Sequence, residues 1–381
     1  MSKRHFFLIL ITSLFLSGCS TEDQSSPKTA ATTEEVSQGE QEERAPLYQK
    51  SLSSLADLSF RQTTELLHLS HQLHISINKL LSASSADTLS AAQQTYKPLL
   101  SQWVNSLPYI NMTALTSTGA PLMNRIEKLP MLPGYLDQLP EYPFSGLVHD
   151  IMIPLDPNTL TLMHSVADDE QVIFGLSAIE FILFDHFEQD HYKKFIPQDA
   201  LPAEEAEQEI TLEQLPNNRR RALLSLQINQ LVEDLSELHK RWEPKTGDDA
   251  KRLSALSGKN MKLSLIRSYN KSTQLILDAL NSIQEKPLTL GRAHFAREEN
   301  ALLLEGMASL FKFHQDIQPI WEVYDQPEKD EFTAVLNSLK ELIDDYKESP
   351  NNRLLLELAS NRCTQLIEIS HDIEFEQPAG Q

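Results

Sequence analysis

Glu180 lies in "VIFGLSAIEFILFD", Val172 to Asp185, where ten of fourteen residues are apolar. An ionised carboxylate among such neighbours would lose much of its hydration or take up a proton instead. Glu180 therefore needs a partner: an arginine or lysine, a hydroxyl, a backbone amide or a metal ion. Two readings fit. One is a structural acid that fixes helix packing through an arginine. The other is a ligand in a polar pocket, with Ser177 three residues earlier on the same helical face and able to hydrogen-bond Glu180.

Other spacings bear on metal chemistry. Helical bundles build di-iron sites from Glu-x-x-His pairs with two further carboxylates. Glu65–His68 and Glu188–His191 have that spacing, but chance accounts for such pairs in a chain rich in Glu and His. His68, His71 and His74 recur every three residues, which suits the polar border of an amphipathic helix. "DHFEQDH", Asp185 to His191, reads as a solvated helix end, and His294 with Glu298 as a surface pair. A zinc-peptidase HExxH helix, a serine-nucleophile motif, a Walker loop and a dinucleotide fingerprint do not occur in the sequence. Cys363, in "LELASNRCTQLIEI", reads as a small buried hydrophobe.

The elements that position Glu180 follow from periodicity. The run around it is too short to span a bilayer, and an all-round apolar helix belongs in a core. Apolar residues recur at three and four from Tyr48 to Ala83, again up to Leu107 with Pro98 as an expected kink, and from Arg219 to Trp242, stopped by Pro244. Further amphipathic stretches follow to the end. Glycine is scarce, eleven in 381 residues, and no run of strands is legible. The fold class is all-α, two packed helical bundles at residues 46–200 and 201–375. Residues 129–160 break the pattern with six prolines and two glycines. A long irregular segment in a compact domain is usually functional.

The front of the chain reads as a targeting signal. Lys3 and Arg4 precede an apolar core, Phe6 to Leu16, and "LSGC" resembles a lipobox. That resemblance implies a signal peptide at 1–18, acylation of Cys19 with chains such as palmitate, and, with Ser20 next rather than Asp, an outer-membrane location facing the periplasm. With Cys19 acylated, Cys363 has no partner for an internal disulfide. Residues 19–45 carry almost no large apolar side chain and are expected to be a flexible acidic tether. The net charge of −21 argues against a nucleic-acid partner.

The stretch from "GYLDQLPEYPFSGLVHDIM" through "IEFILF", with "NNRRRALLSLQINQLVEDLSELHKRW" later, resembles the imelysin family of bacterial envelope proteins. The resemblance covers about residues 47–372. It implies two helical bundles, with a Gly-x-His-x-x-Glu motif on a buried helix near their interface. Gly175 and Glu180 match that motif, and Ser177 stands at the His position. A serine hydroxyl is a poor ligand for borderline divalent metals and does not titrate near neutral pH. The implied pocket comprises Gly175, Ser177, Glu180, His164, Asp169, Arg220 and Arg221, with Arg219 to Arg221 as candidate partners of Glu180. Glu180 is the one candidate ligand for an iron or other divalent ion. The implied function is non-enzymatic iron acquisition or envelope metal handling, by binding or by contact with envelope proteins in iron uptake. The alternatives are a metal-dependent peptidase and an interaction module without metal.

Overall fold

A computed structural model describes residues 38–184, 190–201, 210–256, 258–284, 299–321, 327–349 and 352–375. The signal segment, Cys19, Asp185, Glu188, His294 and Glu298 lie outside the described residues. By internal contacts, Arg44–Gln381 form one compact unit and Met1–Glu43 another. The regular structure of the described residues is helical, and an isolated bridge between Leu139 and Tyr142 is their nearest approach to a sheet. None of their helices is long and apolar enough to cross a membrane.

The helices are α1 (Gln38–Ser82), α2 (Ala86–Ile110), α3 (Gly119–Ile126), α4 (Pro157–Met163), α5 (Leu176–Phe184), α6 (Pro216–Arg241), α7 (Asp248–Ala255), α8 (Gly258–Gln284), α9 (Glu299–Trp321), α10 (Pro327–Glu348) and α11 (Arg353–Phe375). Their ends follow local chemistry. Ser85 and Thr88 form a reciprocal capping box at the start of α2. Asp156 accepts from the Asn158 and Thr159 amides to open α4, with Pro157 in the first turn. α2 runs on through Pro98 and Pro108 to Ile110. α1 begins at Gln38, so the last eight residues of the expected tether are helical. "QGEQEERA" is made mostly of good helix formers, which offsets its lack of apolar side chains.

α2 is shared by two layers of packing. It meets α5 on one side and α8 and α9 on another, while α8, α10 and α11 pack together. Tyr109 of α2 donates to Asp316 of α9 at 2.7 Å, and Ser309 of α9 to the Asn105 carbonyl at 2.5 Å. α1 joins through Ser59, which donates to the Tyr109 carbonyl, and through Phe60, stacked on His239 of α6 at 4.7 Å. α6, placed by sequence with the C-terminal bundle, packs on α3 and α5 of the first half. Its buried stripe, Leu223, Leu224, Ile228, Leu231 and Leu235, accounts for this.

At the centre is α5. All nine of its residues are buried. Burying its six large apolar side chains is worth on the order of 10 kcal/mol before conformational entropy is counted.

Candidate functional site

α5 starts from a backbone turn that only glycine takes readily. Gly175 has φ +99°, and an added Cβ would lie 2.6 Å from the carbonyl oxygens of both Arg125 and Ile126. The C-terminal end of α3 therefore presses directly on the entrance to α5. His164 organises the same entrance. Its Nδ1 accepts from the Ile173 amide at 3.1 Å and the Phe174 amide at 3.3 Å, and its Nε2–H points to the Asn124 carbonyl at 3.4 Å. Burial pushes this imidazole down to about 4, and Lys128 and Arg125 add repulsion, against the Asn124 contact. His164 is thus neutral at neutral pH, with its proton on Nε2. It ties α5 to α3 and offers no free nitrogen to a metal.

Glu180 is 2% exposed. The Tyr96 hydroxyl of α2 lies 3.2 Å from Glu180 Oε2 and 3.0 Å from the Leu176 carbonyl, so this phenol joins α2 to both turns of α5. Tyr96 also packs edge-on to Phe184, 5.5 Å between centroids. Ser177 is buried, but its Oγ has no hydrogen-bond partner, so the expected bond to Glu180 is not made. On the facing helix, Gln227 of α6 donates to the Ile173 carbonyl at 2.8 Å, and its Oε1 also lacks a partner. Two buried polar atoms beside the motif helix are therefore unsatisfied by protein groups, at a cost of about 1–3 kcal/mol each.

The three arginines expected near Glu180 go elsewhere. Arg219 donates to the carbonyls of Leu147, Val148, Asp150 and Ile153. Arg220 makes a two-pronged salt bridge to Asp137, and Arg221 donates to the Phe195 carbonyl at 2.6 Å. Arg219 and Arg220 thus latch the irregular segment onto α6. Asp137 is 4% exposed. Burial raises its carboxyl pKa, but His149 and Arg220, with the Gln138 amide, outweigh this and hold it at about 2. His149 Nε2 stands 3.4 Å from Asp137 Oδ1, an electrostatic contact rather than a well-formed hydrogen bond. Asp169 does not line a buried pocket: its side chain is 87% exposed, and it pairs with Lys128 at 2.6 Å.

Residues 61–351 match the imelysin family. The chain belongs to that family. A comparison with curated proteins finds no match. Among solved structures, the fold is similar to a Parabacteroides distasonis protein assigned as an iron-regulated protein A precursor, with TM-score 0.55 and 11% identity over 86% of this chain and 94% of that one. It is also similar to an imelysin-like protein from Psychrobacter arcticum, with TM-score 0.52 and 15% identity over 85% and 93%. These likenesses establish the imelysin fold.

The imelysin assignment raises the question of a metal. Among the described residues, no group of three or more His, Cys, Asp and Glu side chains stands close enough to hold one. Glu180 has a phenol against one oxygen, and the residue on its face is a serine. Among the described residues, this donor set does not fit a resident divalent ion. Elsewhere, His68 and His71 are exposed on α1, and His68 contacts Gln72 at 2.9 Å. His191 contacts the Ile182 carbonyl at 2.8 Å and secures the end of α5. Cys363 is fully buried, and burial pushes its thiol up to about 12, which leaves it inert. Sequence reasoning missed Tyr96, Asp137 and Gln227. The one available signal was Asp137, an acid set between leucines inside a proline-rich run.

Proposed function

We propose that this imelysin-family chain is a non-enzymatic, lipid-anchored protein of the bacterial envelope. It acts in iron acquisition or envelope metal handling, through binding or protein contact rather than peptide hydrolysis. The observation that carries this reading is Ser177. It stands at the position of the family's motif His, its buried hydroxyl engages neither Glu180 nor any other group, and the neighbouring carboxylate is held by Tyr96. A metallopeptidase needs about three protein ligands and a base, and the described residues around α5 do not supply them. The similarity to an iron-regulated protein A precursor supports the iron context.

The test is metal content and hydrolysis together. The purified chain is expected to show no chelator-sensitive cleavage of an unstructured peptide. Ser177→His is expected to raise affinity for ferrous iron or zinc, read by calorimetry, because it adds an imidazole three residues from Glu180. Peptide cleavage that is lost on chelation and on Glu180→Gln would overturn the reading in favour of the peptidase.

Anchoring is tested separately. Cys19→Ser is expected to block acylation and to leave either unprocessed precursor or soluble protein. Unchanged processing and unchanged sedimentation with outer membranes would remove the lipid anchor from the proposal.

A further inference from the structure

The irregular stretch between α3 and α5 holds exposed apolar side chains on a fixed base. Pro140 to Phe144, "PEYPF", are five consecutive exposed residues. Tyr142 is 66% exposed, Phe144 85% and Met152 84%. Single exposed hydrophobes are ordinary, but Tyr142 and Phe144, two residues apart, with Met152 later in the same segment, are of the residue types enriched at the cores of protein interfaces. The base is rigid. Leu139 and Tyr142 exchange both backbone hydrogen bonds, Ser145 Oγ donates to the Tyr142 carbonyl at 2.9 Å, and Phe144 stands edge-on to His149. Arg219 and Arg220 hold the segment from below. A pre-ordered apolar surface loses little entropy on binding.

Charge selects the occupant. Residues 129–171 contain no lysine or arginine and seven acids. Asp137 is answered by Arg220 and Asp169 by Lys128, while Glu141, Asp150 and Asp168 remain exposed. A second copy would set like charge against like, and an anionic lipid surface would be repelled. Location agrees. Ser84 Oγ, just past α1, and Arg221 both donate to the Phe195 carbonyl, so the start of α6, whose Arg219 and Arg220 hold the segment, lies near the Ser82 end of α1. Arg44 lies at the other end of that helix, about 60 Å away at 1.5 Å per residue.

We propose that the Pro140–Met152 promontory is the docking surface for a basic protein partner that presents apolar residues ringed by lysine or arginine. The inference is independent of the iron assignment, because it rests on this surface and not on Glu180.

The test uses the full chain and a defined probe, a labelled amphipathic peptide of Leu, Trp and Lys, with a counterpart carrying Glu in place of Lys. Anisotropy in 150 mM salt is expected to show the lysine peptide binding at least 10-fold tighter than the glutamate peptide, following charge complementarity (on the order of 10-fold for ~1.4 kcal/mol). Phe144→Ser with Met152→Ser should weaken it about 10-fold or more, with an unchanged melting temperature. Leu354→Ser with Leu358→Ser, on exposed positions of α11, should leave binding unchanged. Glu141→Lys with Asp150→Lys should reverse the preference between the peptides, which keeps the test decisive if the serine variant misfolds. The proposal is overturned if the promontory variants bind as the parent does, or if the α11 variant weakens binding equally. It is also overturned if the parent instead loads onto phosphatidylethanolamine–phosphatidylglycerol vesicles or dimerises through this surface in sedimentation.

Discussion

Arg220→Leu should destabilise the protein by about 3–5 kcal/mol at pH 7, the range for stranding one member of a buried ion pair. Arg220 and Asp137 are 2% and 4% exposed, and the guanidinium meets both carboxylate oxygens. Without it, Asp137 keeps only His149 at 3.4 Å and the Gln138 amide at 2.8 Å. Arg220→Lys should fall between the two, because an ammonium cannot reproduce the two-pronged geometry. The pH dependence gives a second readout. The folded-state pKa of Asp137 is about 2, below the ordinary 3.8. Its contribution is therefore complete above the unfolded value and is lost as pH falls toward 2. In Arg220→Leu, burial dominates and the carboxyl pKa rises. Acidification then relieves the variant before it harms the parent, so the gap between them should narrow from pH 7 to pH 4. Urea titrations at both pH values measure this, and equal stability at pH 7 would refute the latch.

Gly175→Ala should lower stability by about 2–6 kcal/mol, combining a strained left-handed backbone with an overpacked contact. The clash is with two backbone carbonyl oxygens at 2.6 Å, and backbone cannot rotate away as a side chain can. Relief would require α5 to shift from α3, disturbing the His164 bonds to the Ile173 and Phe174 amides. Gly306→Ala is the built-in comparison. Gly306 lies in helix α9, and its nearest obstacle is a Val104 methyl at 3.2 Å, which can adjust. That change should stay within about 1 kcal/mol, because alanine's helix propensity offsets the crowding. Thermal unfolding of the two variants side by side decides the matter, and comparable losses would mean that Gly175 is not held by its neighbours.

The buried position of Glu180 was legible because its helix is apolar on every side, and no other placement satisfies such a pattern. Its described partner was not legible, since Tyr96 is 84 residues away in sequence and nothing local marks its hydroxyl as turned inward. The arginine triplet shows the limit more sharply. Burial of Arg219 and Arg220 follows from their place at the start of an amphipathic helix. Yet successive helical residues point about 100° apart, so three neighbouring arginines cannot serve one acid, and each here serves a different target. Asp169 failed as a pocket candidate for a related reason. Proximity in sequence to α5 does not direct a side chain inward, and the turn carrying it faces solvent. The helical start of α1 escaped notice because composition was read for hydrophobicity, whereas propensity decides a polar helix.

The grip of Arg219 on four carbonyls also sets an order of events. Those carbonyls belong to residues 147–153, and their donor arrives 66 to 72 residues later in the chain. A polypeptide made from its N-terminus therefore completes the proline-rich segment well before anything exists to fasten it. Closing such a loop is entropically slow, so this segment should order late, together with α6 rather than with the helices that precede it. Until then its aromatic tip and its buried-to-be Asp137 are both open to water and to other chains. A fragment of the first 200 residues is therefore expected to leave the carbonyls of residues 147–153 and the Asp137 carboxylate without the donors that α6 brings.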